Sequence, residues 1–114
     1  MTGSCACDDG SARFDRFEAR SVGRDETSGL FAEVEIWRCR TCGRPWLRYS
    51  MEQEAFSRSG RWTRGLVTDA EADAVTADTA SDVLGRLASR LEGGSYHSGQ
   101  VLRLSGRLNW SAQT

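Results

Sequence analysis

The sequence predicts an α+β fold: a small antiparallel sheet of about five strands with one helical segment packed on a face. Three observations carry that reading. Leu30–Arg38 alternates apolar and polar residues with period two, as a half-buried strand does. After Val67 the apolar period lengthens to that of a helix. The chain's 4 cysteines fall as two close pairs, Cys5 with Cys7 and Cys39 with Cys42, and the second pair sits between two strand-like runs.

A length of 114 residues with 39% hydrophobic content suits one modest core. The expectation is a single domain over 1–114: a β part holding both cysteine pairs over 1–67, a helical segment over 68–92, and a C-terminal loop and strand over 93–114. After Cys7, Asp8-Asp9-Gly10 has the composition of a turn. Arg13–Val22 follows as a strand, then Gly23–Gly29 as a loop rich in Gly, Ser, Thr and Asp. In Leu30–Arg38, the strand with the clearest pattern, Leu30, Ala32, Val34 and Ile36 share one side, and Phe31, Glu33, Glu35 and Trp37 share the other. Its continuation through Cys39-Arg40-Thr41-Cys42-Gly43 to Pro45–Met51 predicts a hairpin, with Pro45 at the strand start where a missing N–H is tolerated. A second hairpin is expected between Glu52–Phe56 and Trp62–Val67 around Ser57-Arg58-Ser59-Gly60, with Phe56 facing Trp62.

Thr68-Asp69-Ala70-Glu71 has the spacing of a capping box, in which the Thr hydroxyl and Glu carboxylate satisfy free backbone donors. A short helix is expected there. A longer one follows, with Ala80, Val83, Leu84, Leu87, Ala88 and Leu91 on its apolar face, an Asp82–Arg86 pair on its wet side and Gly93-Gly94 as its stop. Gln100–Ser105 reads as the last strand.

Two close cysteine pairs suit one tetrahedral Cys₄ metal site, with a redox dithiol or unligated thiols as the alternatives. Cys39-Arg40-Thr41-Cys42-Gly43 also resembles the zinc knuckle of zinc-ribbon and rubredoxin-like domains, over about one hairpin of the chain. That resemblance implies Cys39 and Cys42 as ligands, opposed by Cys5 and Cys7, and a structural Zn²⁺. Cys5-Ala6-Cys7 departs from the pattern, with one intervening residue and no following Gly, which favours zinc over iron. With four protein ligands the shell is closed, so the metal holds the fold and has no position for a reacting water.

No Walker loop, dinucleotide fingerprint or nucleophile elbow occurs in the sequence. His97, the only histidine, lies in a Gly/Ser-rich stretch and reads as an exposed loop residue. No 18-residue apolar run or signal-peptide pattern is present, so the expectation is a cytoplasmic protein. All 15 basic residues are arginine and the net charge is −1, which argues against a general polyanion binder. Arginine is nevertheless concentrated between residues 36 and 68 among aromatics. The candidate partner-binding residues are Arg40, Thr41, Arg44, Trp46, Arg58, Arg61, Trp62 and Arg64; Arg and Trp are residue types enriched at protein interfaces. The expected function is a non-enzymatic, zinc-stabilised protein-binding module of the bacterial cytosol, such as an adaptor, inhibitor or immunity-type protein, whose partner is another protein. The alternative is a nucleic-acid-binding zinc ribbon that uses the same Arg and aromatic face.

Overall fold

The computed structural model describes residues 14–26, 32–51, 60–94, 97–98 and 100–108. Strands β1 (Phe17–Asp25), β2 (Ala32–Cys39), β3 (Pro45–Met51) and β4 (Arg61–Leu66) are followed by helices α1 (Asp69–Ala74) and α2 (Ala80–Arg86), then by β5 (Arg90–Gly93) and β6 (Leu102–Leu104). The six strands form one sheet in chain order, with every neighbouring pair antiparallel. No helix among the described residues is long and apolar enough to cross a membrane.

Period-two alternation sorts the side chains onto two unlike faces. Ala32, Val34, Ile36, Leu47 and Tyr49 point to one face, where Val67 and α1–α2 residues Ala72, Ala80, Val83 and Leu84 complete a core. The opposite face carries Phe17, Cys39, Trp46 and Leu91, with Trp37, Trp62 and Leu66 packed against them. The expected separation of Val34 and Ile36 from Trp37 is therefore observed, as is the helical segment on one face. Thr68 caps α1: its hydroxyl accepts from the Glu71 N–H at 3.0 Å, and the Glu71 carboxylate accepts from the Thr68 N–H at 2.8 Å.

Three expectations need correction. The sheet has six strands where about five were expected, because Arg90–Gly93 is a strand and not the end of a helix. α2 stops at Arg86, and Leu87 is already extended at φ −71 and ψ 149. Leu91 and Gly93, which fit a helical face and a helix stop, instead pair with Arg64 and Trp62 of β4. Tertiary pairing overrides local period here: Gly65 has no Cβ, and one built there would lie 3.3 Å from Leu84 Cδ2 and overlap Leu87. The close approach this allows brings the chain down beside β4, where β5 pairs. Strand β1 also runs past the expected loop boundary, since Gly23, Arg24 and Asp25 pair with β2 after a bulge that skips Val22. Gly23 accommodates that bulge at φ +137. The expected strand Glu52–Phe56 lies outside the described residues, and β4 is paired with β3 and β5.

Candidate functional site

Strand β2 delivers Cys39 to the start of a tight turn, and β3 begins again at Pro45. The Gly43 N–H donates to the Cys39 carbonyl at 2.9 Å and the Cys39 N–H to the Arg44 carbonyl at 3.0 Å, closing the turn on both sides. Gly43 sits at φ +77 with open space where a Cβ would be, so backbone conformation and not crowding requires glycine. Both sulfurs accept hydrogen bonds: Cys39 Sγ from the Thr41 N–H at 3.4 Å and Cys42 Sγ from Arg44 Nε at 3.3 Å. Cys39 is buried and Cys42 exposed.

The turn is also tied to its surroundings. Arg38 donates to the Gly43 carbonyl at 2.7 Å and to Asp69 of α1 at 3.1 Å. The Arg40 N–H donates to the Arg16 carbonyl at 2.9 Å, and its guanidinium reaches the Asp15 carbonyl at 3.2 Å and Glu18 at 3.4 Å.

Donors aimed at sulfur stabilise the thiolate form that a metal ligand must adopt and fix the ligand's orientation. Two thiols that each accept a hydrogen bond within one turn are compatible with two of the four ligands of a Cys₄ site. Cys5 and Cys7 lie outside the described residues, and among the described residues no three His, Cys, Asp or Glu side chains cluster as a metal site.

The candidate partner residues divide among separate places. Arg40 and Thr41 are exposed at the tip of the Cys39–Gly43 turn, and Arg44 is half-buried beside them. Trp46 and Arg64 are each 2% exposed, so they are interior groups. The Arg64 guanidinium lies 4.3 Å from the Trp46 ring centre, 5.0 Å from Phe17 and 5.8 Å from Trp62. Next to it, Arg48 lies 4.4 Å from Trp37 and 5.9 Å from Trp62 and pairs with Glu35 at 3.6 Å. Desolvation holds the Arg48 pKa below its ordinary value, with Glu35 acting in the opposite direction. Trp62 is half-buried in this array, Arg61 points to the opposite face, and Arg58 lies outside the described residues.

His97 is not the exposed loop residue expected. Its Nε2 lies 2.7 Å from Glu92 Oε2, and the same oxygen accepts from Arg61 Nε at 2.8 Å. The Glu92 side chain is 1% exposed, His97 16% and Arg61 14%. A buried carboxylate that gathers two cationic or polar side chains from β4 and the turn after β5 is a cross-link between elements. Composition gives no sign of it, because the three residues meet only once β5 pairs with β4. The period-two pattern, in contrast, does separate Arg61 from Trp62 and Arg64, since odd and even residues of one strand face opposite ways.

Comparison with protein-family models, curated proteins and solved structures finds no match.

Proposed function

We propose that this chain is a non-enzymatic, zinc-stabilised protein-binding module, an adaptor, inhibitor or immunity-type protein of the cytoplasm. The observation that carries the metal part is the pair of hydrogen-bonded sulfurs at Cys39 and Cys42, in a turn that Gly43 allows to close. Cys5 and Cys7 would complete the shell and join the N-terminus to the β2–β3 hairpin. A closed Cys₄ shell supplies folding free energy and no reacting water.

The contact surface in this reading starts at the exposed turn tip, Arg40 and Thr41, and extends to the half-buried Trp37 and Trp62. Trp and Arg are the residue types that carry most binding energy at protein interfaces. The nucleic-acid alternative has less support. Arg48 and Arg64 lie against rings and Arg61 against Glu92, so three arginines of the basic segment are engaged inside the protein.

Metal analysis of the purified chain tests the clamp. One zinc per chain is expected, with stoichiometry lost in Cys39→Ser and in Cys7→Ser. Full zinc and unchanged stability in Cys7→Ser would overturn the four-ligand arrangement. A photo-crosslinker at Thr41 tests the surface: protein adducts that Arg40→Glu abolishes support it. Steeply salt-dependent binding of mixed oligonucleotides would favour the nucleic-acid alternative instead.

A further inference from the structure

An open sheet has two edges, and in this protein they are built differently. The β1 edge is long but interrupted by the bulge at Val22, and it presents the exposed charged side chains Glu18, Arg20 and Arg24. Bulges and charges are the features that prevent a further strand from pairing. The β6 edge has no bulge, and its three residues carry one charge, Arg103. Its register against β5 is regular, Arg90 with Leu104, Leu91 with Arg103 and Glu92 with Leu102. Val101, at 39% exposure, and Leu102, at 36%, are the exposed large hydrophobics among the described residues, and they are adjacent at this edge.

Positive charge surrounds the same edge. Arg103 is exposed in the middle of β6, where it donates to Ser89 Oγ at 3.1 Å. Arg86 and Arg107 are exposed and line one shallow groove with Ser81, Asp82, Gly85 and Leu108. Neither arginine makes an ion pair among the described residues, and Asp82 is the one acid in that groove. The two arginines are held near each other by close backbone packing, since a Cβ built at Gly85 would lie 3.3 Å from Arg107 Cα.

We infer that the β6 edge accepts an extended acidic segment of another protein as an added antiparallel or parallel strand. Main-chain hydrogen bonds to Leu102–Leu104 give the affinity, Val101 and Leu102 supply apolar contact on the two faces of the strand, and Arg86 and Arg107 select carboxylate side chains on the α2 side. A second copy of this chain suits the edge poorly. Two β6 strands paired about a two-fold axis at their middle residue would set Arg103 opposite its counterpart, and like charges in that position are destabilising. The site shares no residue with the knuckle and stands whether or not zinc binds there.

The test uses the full chain, labelled with ¹⁵N, and an acetylated peptide of alternating valine and glutamate as the probe. Amide shifts centred on Val101–Leu104 and reaching Arg107 are expected. A valine–lysine peptide of equal length should leave those signals in place. Reversing Arg86 and Arg107 to Glu should weaken the glutamate peptide at least about threefold, as loss of two rim charge pairs implies. Both residues are exposed, so an unchanged melting temperature would confirm that the variant folds. The inference is overturned if neither peptide moves the β6 signals, if both move them equally, or if the shifts map to β1 or the knuckle. Self-association that Arg103→Glu changes, seen by sedimentation, would also overturn it by assigning the edge to a second copy.

Discussion

Trp62 and Gly93 face each other across β4 and β5, and the indole occupies the space a side chain would need. A Cβ built at Gly93 would lie 2.8 Å from Trp62 Cζ2, 3.0 Å from Cε2 and 3.2 Å from Nε1. Carbon pairs are most favourable at about 3.5–4.0 Å, so Gly93→Ala must push the ring outward by more than about half an ångström. Such overpacking costs about 1–3 kcal/mol, offset by about 0.5–1 kcal/mol from replacing a glycine inside a strand. The net loss expected is about 1 kcal/mol, and at most about 2.5 kcal/mol. The displacement also reaches Arg48 and Arg64, whose guanidinium groups lie 5.9 and 5.8 Å from that ring.

A double-mutant cycle isolates the contact. Trp62→Ala alone removes a half-buried indole and should cost about 2 kcal/mol, roughly half the loss for a fully buried aromatic. In the double variant the clash is gone, so its cost should fall below the sum of the single costs by about 1–3 kcal/mol. Urea unfolding followed by far-ultraviolet circular dichroism measures all three variants without relying on the tryptophan signal. Single costs that add to within about 0.5 kcal/mol would refute the stacking of Trp62 on Gly93.

Thr68→Ala removes one half of the α1 capping box and should cost about 1 kcal/mol, read as a lower melting temperature and faster amide exchange in Asp69–Ala74. Tyr49→Phe takes away the hydroxyl that donates to Asp25 Oδ2 at 2.6 Å. Both residues are at most 2% exposed, so a loss of about 1.5–3 kcal/mol in urea unfolding is expected, and a change under about 0.5 kcal/mol would exclude a stabilising bond. Glu92→Gln withdraws the carboxylate shared by Arg61 and His97. The expected cost is about 2–4 kcal/mol, reduced from the fully buried case because both partners retain some exposure. A shifted His97 imidazole signal in the same variant would confirm the contact.

What the sequence disclosed depended on whether a local pattern had one structural solution. The alternation of Ala32, Val34 and Ile36 admits only a strand with that face inward, and the Thr68–Glu71 spacing matches a cap that needs no distant partner. Cys39 to Gly43 also made a local turn whose closure requires glycine at position 43. Leu91 had two solutions. It continues the helical series from Leu84 and Leu87, yet it is also the residue that reaches Phe17 and Trp46 on the far face once the chain leaves α2. Only the space above Gly65 and the pairing with β4 decide between them. Glu92 and His97 were illegible for a related reason: their meeting depends on β5 being a strand, so one unresolved element concealed both. Arg61 and Arg64 differ, because strand alternation alone places them on opposite faces.

That division changes what the arginine-rich centre can do. A guanidinium against aromatic rings gains cation–π attraction and loses water, and at 2% exposure Arg64 offers no charge to a phosphate. Arg48 is similarly desolvated and held by Glu35, while Arg38 and Arg40 answer Asp69 and Glu18. A polyanion gains affinity by displacing its counterions onto exposed, uncompensated cations, which paired and stacked arginines do not supply. Among the described residues, Arg86 and Arg107 are exposed and without an ion pair beside β6, where Val101 and Leu102 are exposed as well. Arginine count points to the middle of the sheet, but exposure and pairing point to its edge. For recognition of an extended acidic strand, the edge has the required chemistry in one place.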